Sequence, residues 1–93
     1  MHMQKPIEWS QEKNEWLKKD RGVCFEDVIT AMESGGHLAT IPHPNQKRYP
    51  DQKIFIVRIR SYAYSVPFVE DDSKMFLKTM YANRHYTKKY LQT

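Results

Sequence analysis

This 93-residue chain is poor in cysteine and glycine and has no long hydrophobic run, and each scarcity excludes something. A single cysteine, Cys24, rules out an intramolecular disulfide framework and a cysteine-based structural zinc site. It fits a reducing compartment, so a cytoplasmic protein is expected. No apolar stretch approaches the roughly 20 residues that span a bilayer, and the N-terminus lacks the charged-then-apolar pattern of a signal peptide. A membrane role is therefore not expected. Chemistry-bearing motifs are scarce too: there is no glycine-rich phosphate loop, no His-Glu-x-x-His and no Gly-x-Ser-x-Gly. Glu70-Asp71-Asp72 reads as a solvated acidic turn rather than a catalytic carboxylate pair. His37 and His43 have no diagnostic metal spacing and fit surface or packing positions. Cys24 beside Phe25 reads as a small buried residue. The opening Met1-His2-Met3 resembles a cloning scar, and His2 is not taken as a ligand.

The most informative absence is that of acids near the C-terminus. Residues 74–93 hold Lys74, Lys78, Arg84, Lys88 and Lys89, with His85 and the tyrosines Tyr81, Tyr86 and Tyr90, and no Asp or Glu. By region, the formal charge is −2 over residues 1–34, +4 over 35–60, −3 over 61–73 and +5 over 74–93. Clustered cations interleaved with aromatic rings suit a phosphate-rich partner, because neutralising phosphates releases counterions. A solvated helix end is the other reading, since cations favour a helix C-terminus.

The length suits one domain, residues 1–93, with one core. Hydrophobic periodicity changes once, from helical to strand-like, which predicts an α+β fold with its helices first. Ser10 caps a helix to which Trp9, Trp16 and Leu17 offer an apolar stripe and which stops at Arg21-Gly22. A second helix begins near Phe25, buries Val28, Ile29 and Met32, and ends at Ser34-Gly35-Gly36. Strands follow at His37–Ile41, Lys53–Arg60, Tyr62–Val69 and Lys74–Tyr81, predicting a four-stranded antiparallel meander after two helices. A short basic helix over Arg84–Leu91 closes the chain. In the second strand Phe55, Val57 and Ile59 alternate with Ile54, Ile56, Arg58 and Arg60, so one sheet face is expected to pack on helices and the other to present arginines. Pro67 suggests a bulge or an edge.

What this composition supplies is phosphate chemistry by side chains alone. RNA cleavage needs no metal when the ribose 2′-hydroxyl attacks its own phosphate, a base takes the proton, cations neutralise the transition state and an acid protonates the departing oxygen. Arg58 and Arg60, the Lys47-Arg48-Tyr49 loop and the segment from Tyr81 to Lys89 provide such groups, and a tyrosine can stack a base.

Ile7-Glu8-Trp9, Lys13, Gly22 and Val23-Cys24-Phe25-Glu26-Asp27 resemble the opening of BrnT-type toxins, which read Phe-Glu-Trp-Asp-x-x-Lys and then Lys-His-Gly-Val-x-Phe-Glu-Glu. Ala82-Asn83-Arg84-His85-Tyr86-Thr87-Lys88-Lys89 is similar to that family's Ser-Ala-Arg-Lys-Ala-Thr-Arg-Arg, and Tyr49 through Val69 falls where its middle strands belong. The resemblance implies a RelE-like toxin of a type II toxin–antitoxin pair: a metal-independent endoribonuclease without cofactor that arrests translation. It further implies a cognate antitoxin, of ribbon-helix-helix type, through which operator DNA is bound. On this reading Arg84 and Arg58 bind the transition-state phosphate and His85 transfers protons. Arg60, Lys88, Lys89, Tyr81, Lys53 and Arg21 contact RNA. Arg21 stands where the family has histidine, so the base is His85 or His43, or the chain belongs to a divergent branch. Two other readings stay open: a non-enzymatic nucleic-acid-binding or interaction module, and a toxin of the same fold acting on DNA gyrase.

Overall fold

The structure, a computed structural model, describes residues 5–92; Met1 to Met3, the expected cloning scar, lie outside the described residues. Ser10 opens helix α1 (Gln11–Arg21) with an extended backbone, and its hydroxyl accepts the Lys13 N–H at 3.1 Å. Gly22 stops the helix at φ 71°, a left-handed conformation that glycine adopts without Cβ strain. Helix α2 (Phe25–Glu33) starts almost at once, and the Asp27 carboxylate in its first turn accepts the Cys24 N–H at 3.0 Å. These two helices agree with the periodicity. Between them lies a joint the periodicity does not show. Asn14, fully buried, accepts the Phe25 N–H at 2.7 Å and donates to Glu26 at 2.8 Å, so one α1 amide fixes the start of α2.

The sheet is mixed and six-stranded rather than a plain four-stranded meander. It comprises β1 (Ile7–Glu8), β2 (His37–Pro42), β3 (Gln52–Ile59), β4 (Tyr62–Glu70), β5 (Met75–Leu77) and β6 (Tyr81–Ala82). The order is β1-β5-β4-β3-β2, with β6 also on β4. The meander from β2 onward is antiparallel as expected. Two features correct the expectation. A strand precedes the helices, since Ile7 and Glu8 pair in parallel with Met75 and Phe76; two residues are too few to carry an alternation. The long last strand is broken, because Phe68 faces Leu77 while Ser65 faces Tyr81, a register change of one residue over Lys78–Met80. Pro67 accounts for the break. Its carbonyl accepts the Lys78 N–H at 2.8 Å, so its missing N–H faces the same neighbour and the ladder cannot continue unbroken.

Both sheet faces are covered, which corrects the expected open arginine face. Phe55, Val57, Ile59, Val66 and Phe68 pack with Leu17, Val23, Phe25 and Val28 of the α1–α2 layer. On the opposite face Ile54, Ile56 and Ala63 lie under Tyr86, Tyr90 and Leu91 of α3 (Arg84–Leu91). Gly36 leaves α2 where a Cβ would meet the Ala31 carbonyl oxygen at 2.8 Å, so only glycine fits that close approach.

Arg60 and Ser61 join β3 to β4 with φ of 54° and 71°, both left-handed. A two-residue hairpin of that geometry favours Asn-Gly. Arg60→Asn combined with Ser61→Gly should stabilise the fold by about 1 kcal/mol, read as a rise in Tm of about 4–8 °C. The Arg60–Asp27 ion pair, absent from that variant, spans 3.9 Å at an exposed position and contributes little.

Candidate nucleic-acid interface

Helix α3 is built so that one side anchors it and the other is left to solvent. Residues 83, 86, 87, 90 and 91 recur at helical spacing and face the sheet. Asn83 caps the helix: its Oδ1 accepts the Tyr86 N–H at 3.1 Å and its Nδ2 donates to Ser65 Oγ at 3.0 Å. Thr87, 3% exposed, accepts the Ala63 N–H at 2.9 Å and donates to the Asn83 carbonyl at 2.8 Å. Two polar side chains thus bolt α3 to β4. Thr87→Val keeps the shape but leaves the buried Ala63 N–H without a partner, so a loss of about 1–3 kcal/mol is expected. Faster amide exchange at Ala63 and along α3 would show it.

The outward side carries Arg84, His85, Lys88 and Lys89, all exposed. Among the described residues the ion pairs lie elsewhere, at Lys5–Glu70, Lys18–Glu15, Lys53–Glu70, Arg60–Asp27 and Lys74–Glu8. No carboxylate among them neutralises the α3 cations. Lys88 and Lys89 occupy the last turn, where the helix dipole favours positive charge. Arg84 and His85 occupy the first turn, which has no acid and where the dipole opposes the Arg84 charge. Helix stability explains the former pair and not the latter.

Two further residues expected at the site fall on the same face. Arg58 lies opposite Ala63, the residue that Thr87 holds, and strand alternation puts it on the α3 side with Ile54 and Ile56. Its side chain is exposed. Tyr81 lies opposite Ser65 and so shares the α3 side, 38% exposed, two residues before the helix cap. Register thus assigns Arg58 and Tyr81 to the sheet face that α3 covers, while Arg58 also borders a hollow with Asp27, Thr30 and Ser34 of the α2 side.

The other expected contacts are placed elsewhere. Lys53 alternates onto the α1–α2 side and approaches Glu70 at 3.9 Å. Arg60 leaves the strand in the hairpin turn and points back to Asp27 and the Gly22 carbonyl. Arg21 donates to the Met80 carbonyl at 2.6 Å and lies over the Trp16 ring at 4.9 Å. The histidines considered for metal are engaged separately. His37 bonds Thr40 at 2.7 Å, and His43 accepts the Asn45 N–H at 3.0 Å.

Larger hollows open away from α3. One of about 410 Å³ is lined by Ile7, Met32, Phe55 and Met75 with the Lys5–Glu70 pair at its mouth, and one of about 440 Å³ by Asp51, Glu70 and Asp71. Glu70 borders both, with Lys5, His37 and Thr40 at the first and Lys74 at the second. Lys5 holds the Glu70 carboxyl below its ordinary value, and backbone N–H groups of Ser73 and Lys74 do the same for Asp71. These groups stay ionised and repel a phosphate. Burial pushes the Cys24 thiol up, which disfavours the thiolate.

Asn83 and Thr87 were not singled out as anchors from the sequence, although an Asn directly before a helical stripe is a capping signal. Comparison of the chain with protein families, with curated proteins and with solved structures finds no match.

Proposed function

We propose that this protein binds RNA through the outer face of α3, with Arg84, Lys88 and Lys89 on consecutive phosphates and Arg58 and Tyr81 beside them. The observation that carries this reading is the pair Arg84–His85 at the helix N-terminus. The Arg84 charge is set against the dipole and met by no acid among the described residues, an arrangement that gains stability when a phosphate arrives. Arginine supplies bidentate contacts, and Tyr81 supplies a ring for an unstacked base.

A second reading adds chemistry and rests on His85, a proton-transfer group one residue from Arg84 and one turn from Lys88 and Lys89. The ribose 2′-oxygen attacks the adjacent phosphorus, His85 or a second base takes its proton, and the P–O5′ bond breaks. The products are a 2′,3′-cyclic phosphate and a 5′-hydroxyl whose proton comes from solvent water. Arg84 and Arg58 neutralise the pentavalent phosphate. No metal takes part. That is the activity of a BrnT- or RelE-like cytoplasmic toxin held by a cognate antitoxin, and the partial sequence resemblance supports it.

Incubating the protein with a labelled 40-nucleotide RNA in a chelator, then resolving complexes and products, tests both readings. A shifted band with intact RNA supports binding alone, and new cyclic-phosphate ends lost in Arg84→Ala and His85→Ala support the toxin. RNA that is neither shifted nor cut contradicts both.

A further inference from the structure

Among the described residues only two large hydrophobic side chains are exposed, Trp16 at 41% and Tyr81 at 38%. They sit on different layers, yet one residue joins them. Arg21 lies 4.9 Å from the centre of the Trp16 ring while its Nη1 donates to the carbonyl of Met80, the residue before Tyr81. Met80 itself is buried under α1 and α2, and Tyr81 turns to the α3 side, so the link passes over the sheet edge at β6. Arg21 thus ties the Trp16 ring to the backbone one residue before Tyr81, and Arg84 follows three residues after Tyr81.

We infer that Trp16 and Tyr81 are a two-ring stacking platform and that the nucleic acid taken by this protein is single-stranded; the inference rests on the α3 reading above. A strip of aromatic rings with cations between them matches unpaired bases, whose π-faces are available, and a chain flexible enough to bend around an edge. A duplex keeps its bases stacked on one another and offers the rings nothing. Lys13 Nζ also lies over the Trp16 ring, at 4.3 Å. An exposed cation–π contact is weaker than base stacking, so an incoming base displaces Lys13 from the ring and keeps it as a neighbouring cation. Glu12 and Asp20 stand one helical turn on either side of Trp16 and cancel much of the local positive field. Trp16 therefore acts on bases, while α3 acts on phosphates.

These two roles differ in salt dependence. A 20-nucleotide unstructured RNA and the same strand annealed to its complement serve as probes, with affinity measured over a range of salt for wild type, Trp16→Ala, Trp16→Phe and an Arg84, Lys88, Lys89 triple-alanine variant. The expected result is that Trp16→Ala weakens single-strand binding about tenfold with an unchanged salt slope. Trp16→Phe, which keeps a ring and controls for any change in folding, restores most of it, and duplex binding does not respond. If Trp16→Ala leaves single-strand affinity unchanged, or weakens both probes equally, the platform is refuted while the triple variant still reports on α3. If wild type binds neither probe, the platform and the α3 reading fall together.

Discussion

Replacing Arg84, Lys88 and Lys89 together with alanine will remove about three orders of magnitude of RNA affinity without unfolding the protein. Each cation that meets a phosphate makes a charge-assisted contact, and about 1.4 kcal/mol, the lower end for such contacts, is a tenfold change. The weaker binding should carry a signature that a damaged fold cannot imitate. For a single strand, each phosphate neutralised contributes about 0.7 to the slope of log affinity against log salt, so removing three cations flattens that slope by about 2. Stability should change little. These side chains have no carboxylate partner among the described residues, and Arg84 sits where the helix dipole disfavours it. Alanine at 84 gains a few tenths of a kcal/mol, and loss of Lys88 and Lys89 from the last turn offsets it. A triple variant that melts near the wild-type temperature and no longer binds separates function from folding. One that binds as wild type removes α3 from the interface.

The second large effect is structural. Asn14→Ala will destabilise the fold by about 2–4 kcal/mol and lower Tm by about 10–20 °C, because it leaves the buried Phe25 N–H unpaired and opens a gap between α1 and α2. It should also be visible in a titration. Glu26 is held below its ordinary value of 4.5, with the hydrogen bond from Asn14 the first cause, so the variant should return it toward that value. A carboxylate lowered in the folded state stabilises it above the unfolded value, and that contribution is lost as pH falls through the folded value. The Asn14→Ala deficit is therefore greater at neutral pH than near pH 3. Equal deficits at both, or an unshifted Glu26 resonance, would contradict the role given to Asn14.

What was legible in the sequence is what local rules decide. Ser10 and Gly22 bound α1, Gly35 and Gly36 end α2, and the alternation through Phe55, Val57 and Ile59 marks the face under the helices. The start of α3 at Arg84 follows from the same logic, since Asn83 caps it. What was not legible depends on partners distant in the chain. Ile7 and Glu8 become a strand only because Met75 and Phe76 lie beside them, and the break at Lys78–Met80 is imposed by Pro67 across the ladder. The second sheet face read as open because Arg58 and Arg60 share an alternation with Ile54 and Ile56. Those isoleucines signal that something covers them, and α3 does.

The candidate site divides along the same line. Charge count alone groups Arg21, Lys53 and Arg60 with the α3 cations, but once the chain folds Arg21 is committed to the Met80 carbonyl, and Lys53 and Arg60 lie beside Glu70 and Asp27, away from α3. Arg58, Arg84, Lys88 and Lys89 are not so committed among the described residues. A cation's availability is a tertiary property, set by where Glu70, Asp27 and the Met80 carbonyl come to rest.

Whether α3 holds the phosphates is decided most directly by the affinity of the wild-type protein for an unstructured 20-nucleotide RNA between about 50 and 300 mM salt, beside the triple-alanine variant. The expected result is a straight log–log line with a slope of about −2 to −3 for wild type, reflecting three or four phosphates, and a nearly flat, much weaker line for the variant. Parallel lines of equal affinity, or a wild-type protein that does not bind RNA at the lowest salt, would contradict a phosphate-binding α3.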